Sequence, residues 1–244
     1  MIRLENLKLA LAGRVILDGA GLSVGPGETV ALLGASGSGK SMLLRTAVGL
    51  LRPDSGRAFI LDQEITGASS SDLRQVRRKI GMLFQGTALF DSMTVAENIG
   101  FVLREVAGLE KDETDRKVDE LLVRLRLGPI HRQYPAELSG GMKKRVGIAR
   151  ALAHDPPVLF LDDPTAGLDP VTGEVIAELI AEFCTRADRA TVVVTNQLPV
   201  IQRVSTRVAL LADGRVTELG APAKVFAGGH RSLRSYLEGA EARP

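Results

Sequence analysis

A glycine-rich octet follows a short apolar segment near the start of the chain, and it constrains the fold more than any other feature. Residues 34–41 read GASGSGKS and fit the pattern G-x-x-x-x-G-K-[ST]. The apolar segment Thr29–Leu33 precedes the octet, and residues 41–51 carry apolar side chains at helical spacing. A strand, a glycine-rich loop and a helix in this order form a phosphate-binding loop, so the sequence predicts an α/β fold that binds a nucleotide.

Each residue type in the octet has a chemical task in such a loop. The glycines allow consecutive backbone N–H groups to turn toward phosphate oxygens, Lys40 would reach the β- and γ-phosphates, and Ser41 would ligate Mg²⁺. The alternative is an ordinary Gly/Ser-rich turn, which the complete octet in this context disfavours. The predicted phosphate-binding residues are Gly34, Ala35, Ser36, Gly37, Ser38, Gly39, Lys40 and Ser41.

Two further segments point to the same chemistry. Residues 158–162 (VLFLD) read as a buried strand that ends in a carboxylate, and Asp162 would hold the Mg²⁺ coordination shell. Residues 138–142 (LSGGM) precede a helical pattern that Ser139 would cap, leaving N–H groups at Gly140 and Gly141 free for an anion. Taken singly, the first could be a strand that ends in a turn and the second a plain helix cap.

The rest of the chain indicates a single α/β unit with an insertion. Strand-like segments alternate with helical ones, which predicts a mostly parallel sheet covered by helices on both faces. Residues 3–9 and 15–24 read as N-terminal strands, and a helical block from about residue 94 to 153 interrupts the alternation. Within that block, residues 118, 121, 122 and 125 form an apolar stripe.

Two local features are also predicted. Asp72 reads as a helix N-cap, and residues 143–145 (KKR) read as the exposed face of the helix after LSGGM.

Composition narrows the function classes. A formal net charge of +2 does not call for a nucleic-acid partner, and we expect none. Cys184 is the single cysteine, so no internal disulfide can form, as is typical of a reducing compartment. No uncharged apolar run approaches the roughly 18–20 residues that cross a bilayer, so we expect a cytoplasmic chain that docks on a membrane protein.

Together these motifs resemble those of the ATP-binding cassette (ABC) ATPases. Gln85 follows an apolar segment as the family's Q-loop glutamine does, and residues 166–169 (AGLD) resemble its D-loop. The resemblance implies a P-loop ABC fold over residues 1–226, with an N-terminal antiparallel β element, a helical subdomain at about 86–153 and a short helical tail at 227–244. It also implies ATP and Mg²⁺ as ligands, with Ser41, Gln85 and Asp162 around the metal.

The same resemblance implies an assembly. Two cassettes, most simply a homodimer, would sandwich two ATP molecules, with Ser139, Gly140 and Gly141 against the γ-phosphate held by the other chain. Gln85 would sense both Mg²⁺ and an integral membrane permease. Local packing would explain the apolar side chains of Leu89, Phe90 and Met93, but the resemblance implies that they lie where that permease docks, and we favour docking.

A finer resemblance is to the cassettes of Mla/Mce-type phospholipid transport. Residues 81–95 (GMLFQGTALFDSMTV), 134–137 (YPAE) and 142–146 (MKKRV) carry it. It implies phospholipid transport through a permease, with Mce-type substrate-binding and small regulatory subunits as further partners, on the inner face of the cell membrane. A cassette for another substrate, and an assembly or regulatory module that binds ATP with little hydrolysis, are the alternatives.

Three positions depart from the family pattern. Asp163 stands where a glutamate polarises the attacking water, and Asn196 stands at the switch position usually held by histidine. The shorter carboxylate is withdrawn by about 1.5 Å, although a small backbone shift or an added water would restore contact. No aromatic residue precedes Phe59, so Leu11 or Ala12 would cover the adenine without stacking. With Asp163, Asn196 and Gln85 as the catalytic residues, we expect intact ATP binding and slow turnover.

Overall fold

The computed structural model describes residues 1–184 and 186–229. Residues 230–244 of the predicted tail, with Leu233, Tyr236 and Leu237, lie outside them. The strands are β1 (Ile2–Leu11), β2 (Arg14–Val24), β3 (Thr29–Leu33), β4 (Ser55–Ile60), β5 (Gln63–Glu64), β6 (Ile80–Leu83), β7 (Val158–Asp162), β8 (Ala190–Val194), β9 (Arg207–Ala212) and β10 (Arg215–Gly220). The helices are α1 (Lys40–Ala47), α2 (Ser70–Arg77), α3 (Val95–Glu105), α4 (Lys111–Arg124), α5 (Gly140–Leu152), α6 (Pro170–Cys184) and α7 (Leu198–Val204). Shorter helical segments are Pro135–Glu137, Pro222–Lys224 and Val225–Gly229.

The central sheet has six strands in the order β10-β9-β3-β8-β7-β6. Neighbouring strands from β9 to β6 run parallel, and only β10 pairs antiparallel, as a hairpin on β9. All residues of β3, β7 and β8 are buried, which is why these short strands are almost wholly apolar. The predicted mostly parallel sheet is confirmed, and β3 and β9 have the predicted bounds.

A second sheet, antiparallel and four-stranded, is built from the N-terminal region in the order β2-β1-β4-β5. Ile2, Leu4, Leu7 and Leu9 of β1 are buried and pack in one core with α1. The predicted N-terminal β element is confirmed. The sequence did not predict β4 and β5. Residues 55–60 (SGRAFI) are apolar only at their end, and β4 forms because it pairs with β1.

Between β6 and β7 the chain folds into α3, α4 and α5, which share a core with α6. The predicted stripe of Val118, Leu121, Leu122 and Leu125 is buried in that core. Thr94 opens α3 with a reciprocal capping box to Glu97, which satisfies N–H groups at the helix start. Within the described residues, no helix combines the length and apolar character needed to span a bilayer.

The predicted cap of α2 was wrong. Ser69, and not Asp72, is the N-cap residue, because its hydroxyl oxygen accepts a hydrogen bond from the Asp72 N–H at 3.2 Å. Asp72 instead lies in the first turn, where its negative charge faces the positive end of the helix. Both residue types favour caps, so the pattern alone placed the start of the helix three residues late.

Candidate nucleotide site

The predicted site residues come from the carboxyl ends of four neighbouring parallel strands. The octet follows β3, Asn196 follows β8, Asp162 ends β7 with Asp163 directly after it, and Gln85 follows β6. Because β3, β8, β7 and β6 are adjacent in the sheet, these residues meet at one edge. This edge is where ligands bind in open α/β sheets.

The octet forms a compact loop closed by its own lysine. The Lys40 ammonium donates hydrogen bonds to the carbonyl oxygens of Gly34 at 2.7 Å and Ala35 at 2.8 Å. Gly39 is the residue before α1 and has a φ of 101°, a left-handed conformation that favours glycine. Burial lowers the pKa of Lys40, and the charges of Asp163 and Asp162 oppose that shift.

The loop has the steric and polar character of a phosphate cradle. A Cβ added at Gly34 would lie 2.6 Å from the Leu211 carbonyl oxygen and from Ser38 Oγ, and one at Gly39 would lie 2.8 Å from Ile16 Cγ2. The Ser38 hydroxyl oxygen is buried and has no hydrogen-bond partner among the described residues. A buried polar atom without a partner in a loop at a helix N-terminus fits a phosphate ligand.

A cleft of about 470 Å³ brings most of the predicted residues together. Ser41, Gln85 and Asp162 line it and offer hydroxyl, amide and carboxylate oxygens, the hard donors that suit Mg²⁺. Its apolar lining residues are Leu11, Ile16, Met42 and Val194. Of the two residues predicted to cover a base, Leu11 lines the cleft and Ala12 does not. Site-lining octet residues are Ser36, Gly37, Gly39, Lys40 and Ser41.

Asp163 lines the cleft in a backbone conformation that suits its residue type. Its φ is 48°, a left-handed value that aspartate tolerates better than most non-glycine residues, and its N–H donates to the Val194 carbonyl at 2.9 Å. Burial raises the pKa of Asp163, the ammonium of Lys144 opposes that shift, and the neighbouring charge of Asp162 adds to it. A carboxylate with a raised pKa is suited to accept a proton from water.

Asn196 also lines the cleft, where its amide pairs with the first glycine of the octet. The amide nitrogen Nδ2 donates to the Gly34 carbonyl at 3.0 Å, and Oδ1 accepts from the Gly34 N–H at 3.3 Å. The switch position is thus joined to the phosphate loop by two hydrogen bonds from one side chain.

The residues of the LSGGM segment lie apart from this cleft, at the start of α5. Ser139 caps the helix by accepting a hydrogen bond from the Met142 N–H at 3.3 Å. Gly141 packs against α6, since an added Cβ would lie 2.6 Å from Thr172 Cγ2. Ser139 and Gly140 are exposed, so this helix end faces outward and is open to a second molecule.

The expectation of an exposed basic face on α5 was wrong: Lys144 is buried, and Lys143 and Arg145 are half-buried. Lys144 is only 6% exposed and donates to the carbonyl oxygens of Gln85 and Asp163. Arg145 donates to the carbonyls of Leu125 and Arg126. A signal was present in the sequence: Lys144 lies at helical spacing from Gly141, Ile148 and Ala151, all of which are buried.

Comparison with known proteins decides the family. Residues 17–166 match the family described as "ABC transporter". The chain belongs to the ABC transporter family. It is 42% identical over 228 residues to the methionine import ATP-binding protein MetN of Xanthomonas oryzae pv. oryzae, covering 93% of this chain and 68% of that protein. It is 41% identical over 230 residues to MetN of Geobacillus kaustophilus, covering 93% and 67%.

Solved structures of ABC cassettes have the same fold. A dimeric cassette in a post-hydrolysis state, bound to ADP and Pi, superposes with a TM-score of 0.82 at 32% identity, over 90% of this chain and 98% of that one. The protein cbiO1 of Clostridium perfringens, part of the transporter complex cbiONQ, superposes with a TM-score of 0.81 at 31% identity, over 98% of this chain and 96% of that one. The predicted P-loop ABC fold is confirmed, and the chain is an ABC-type ATPase that uses ATP with Mg²⁺.

Proposed function

We propose that this ABC chain is the ATP-binding subunit of a transporter, and that it couples ATP binding and hydrolysis to phospholipid transport through a membrane permease. The observation that carries the ATPase part is the convergence of five octet residues with Gln85, Asp162, Asp163 and Asn196 on one cleft. Residues 1–226 would form the cassette, with residues 86–153 as the helical subdomain that communicates with the permease.

The residues of the cleft divide the chemistry among them. Lys40 and the loop N–H groups would bind the phosphates, and Ser41, Gln85 and Asp162 would hold Mg²⁺, which neutralises phosphate charge when bound. Asp163 would orient and deprotonate the attacking water, and Asn196 would donate a hydrogen bond near the γ-phosphate. The short reach of Asp163 and the neutral amide of Asn196 make turnover slow.

A second copy of the chain would complete the site. The exposed start of α5, with Ser139, Gly140 and Gly141, presents a helix N-terminus to solvent, where an anion is stabilised. A solved relative of this fold is described as dimeric. We propose a homodimer in which each α5 N-terminus faces the nucleotide of the other subunit, and ATP drives closure because it binds the closed state more tightly.

The membrane partner would dock beside Gln85. Phe90 is 44% exposed, and with Leu89 and Met93 it forms an apolar segment between β6 and α3. A docked permease places the chain in the cytoplasm, peripheral on the inner face of the membrane. Mce-type and small regulatory subunits would complete the complex.

The transported substrate has two candidates. The segments 81–95, 134–137 and 142–146 support phospholipid, through their resemblance to Mla/Mce-type cassettes. The names of relatives at 41–42% identity support methionine instead. We favour phospholipid because segment 81–95 contains the apolar docking residues themselves, and docking residues differ with the permease that they contact.

Reconstitution separates the two substrates. The complex, purified from its native membrane through a tag on this chain, is placed in proteoliposomes with fluorescent phospholipid in one arm and labelled methionine in the other. We expect ATP-dependent movement of phospholipid only, lost in Lys40→Ala. Movement of methionine without phospholipid would overturn the proposed substrate, and background phosphate release in both arms would favour the regulatory module.

A further inference from the structure

A buried lysine of α5 connects two segments of the hydrolytic site. The Lys144 ammonium donates to the Gln85 carbonyl oxygen at 2.6 Å and to the Asp163 carbonyl oxygen at 3.2 Å. Gln85 follows β6 and Asp163 follows β7, so a single cation joins α5 to both strand ends. The side chain therefore connects α5, the helix that Ser139 caps, to the proposed site of hydrolysis.

Burying the Lys144 ammonium costs free energy unless hydrogen bonds or opposite charges compensate for the lost water. Desolvation penalises the ammonium and lowers the pKa of Lys144, while the charges of Asp163 and Asp162 favour the cation. A leucine or methionine would fill the same space without that cost. The hydrogen bonds to backbone carbonyls are what the ammonium adds, and both carbonyls belong to residues of the proposed site.

The segment that Lys144 holds is strained and lies close against α5. Thr87 and Ala88 have φ values of 63° and 51°, which are unfavourable for a β-branched residue and for alanine. An added Cβ at Gly147 would lie 2.8 Å from Leu83 Cδ1 and 3.3 Å from Thr87 Cβ. Arg150 donates to the carbonyls of Thr87 at 2.9 Å and Ala88 at 2.7 Å.

Lys144, Gly147 and Arg150 lie on one face of α5, three residues apart, and all contact the segment after β6. Of these, Lys144 alone also reaches the residue after Asp162. We propose that Lys144 is a positioning residue for ATP hydrolysis, which fixes the backbones of Gln85 and Asp163 so that their side chains face the nucleotide together. This inference rests on the proposed roles of those two residues.

The test compares Lys144→Met with Lys143→Met, the same change on the preceding, partly exposed residue of the helix. In Lys144→Met we expect kcat to fall at least about tenfold while the dissociation constant for Mg-ATP changes less than about threefold, since a misplacement near 1 Å costs rate rather than phosphate binding. Lys144→Arg, which keeps the cationic donor, is expected to recover part of kcat. Lys143→Met is expected to behave as the unchanged chain.

Hydrogen exchange without nucleotide gives a readout independent of activity. The Thr87 N–H donates to the Phe84 carbonyl and the Ala166 N–H to the Asp163 carbonyl, so both amides report on the held segments. We expect faster exchange at these amides in Lys144→Met, with the amides of β8 unchanged. An equal rise in the exchange rates of the β8 amides, or an unchanged kcat, would overturn the inference.

The failure of this inference is distinguishable from failure of the proposed site. If Gln85→Ala and Asp163→Ala lower kcat and Lys144→Met does not, Lys144 has no positioning role. If Asp163→Ala and Gln85→Ala leave kcat unchanged, the proposed roles of those residues are wrong, and the inference falls with them. Should Lys144→Met not fold, Lys144→Gln takes its place under the same expectations.

Discussion

The side chain of Asn196 satisfies both backbone polar groups of Gly34, donating to its carbonyl at 3.0 Å and accepting from its N–H at 3.3 Å. A carboxamide can do this because its donor and acceptor point the same way, like the two groups of a backbone residue. The nitrogens of an imidazole ring diverge and cannot bond both groups together. Asn196 therefore stabilises the first residue of the phosphate loop in addition to its proposed role near the γ-phosphate.

We predict that Asn196→His will raise both kcat and the KM for ATP. The imidazole is a better proton relay at the switch position, and the loss of one or both bonds to Gly34 loosens the loop. Steady-state phosphate release over a range of ATP concentrations measures both effects. An unchanged KM would show that the amide pair contributes nothing to nucleotide binding.

Asp163→Glu is predicted to speed turnover and to reduce stability. The longer side chain extends the carboxylate by about 1.5 Å toward the cleft, whereas glutamate tolerates the left-handed φ of 48° less well than aspartate. We expect a loss of about 1 kcal/mol in the free energy of unfolding, measured by urea titration, alongside faster phosphate release.

Asp163→Asn is the matched control for that variant. It keeps the side-chain length and the tolerance for left-handed backbone but removes the base. Stability close to that of the unchanged chain with phosphate release at background is the expected result. Slower release in Asp163→Glu than in the unchanged chain would contradict the idea that reach limits the rate.

Ser139→Asp tests the proposed contact with the other subunit's nucleotide. Aspartate caps a helix as well as serine does, so the unfolding midpoint of the monomer should not change. Its negative charge would face the γ-phosphate in the closed dimer and oppose closure. Sedimentation with Mg-ATP should show dimers for the unchanged chain and monomers for the variant. Dimers in both would place the LSGGM segment away from the nucleotide.

His154 is predicted to make the fold sensitive to mild acid. Burial lowers the pKa of His154, the charge of Asp155 opposes the shift, and the charge of Arg189 adds to it. The unfolded chain then binds this proton more readily, so stability is complete above about pH 6.5 and falls as the pH drops toward the folded-state value. The urea unfolding midpoints at pH 7.5 and pH 5.5 should differ less for His154→Gln than for the unchanged chain. An identical pH dependence in both chains would exclude His154 as the cause.

The sequence predicted the parts of the fold that local pattern determines. The almost wholly apolar β3 and the octet after it mark the centre of the sheet, and the stripe of Val118, Leu121 and Leu122 marks the buried face of α4. The start of α2 was misplaced because Ser69 and Asp72 are both good caps, and only the hydrogen bond distinguishes them. Strand β4 depends on pairing with β1, which no local pattern contains.

For the candidate site too, the sequence predicted what local pattern determines and missed what tertiary contacts determine. The local pattern predicted the octet and Asp162, and the family resemblance pointed to Gln85 and Asp163. The fold brings all of them to one edge of the sheet. The pairing of Asn196 with Gly34 joins residues 162 positions apart, and the reach of Lys144 to Gln85 joins residues 59 apart. Both contacts depend on how the strands and helices are arranged in space. The sequence could therefore identify the residues but not the hydrogen bonds between them.

The most direct measurement is calorimetric titration of Mg-ATP into the chain and into Lys40→Ala. Lys40 closes the phosphate loop through Gly34 and Ala35 and would reach the phosphates of a bound nucleotide. We predict a saturable heat with one nucleotide per chain, abolished in Lys40→Ala while the unfolding midpoint of the variant stays near that of the unchanged chain. No heat from the unchanged chain, or equal heats from both, would contradict nucleotide binding by the loop at residues 34–41.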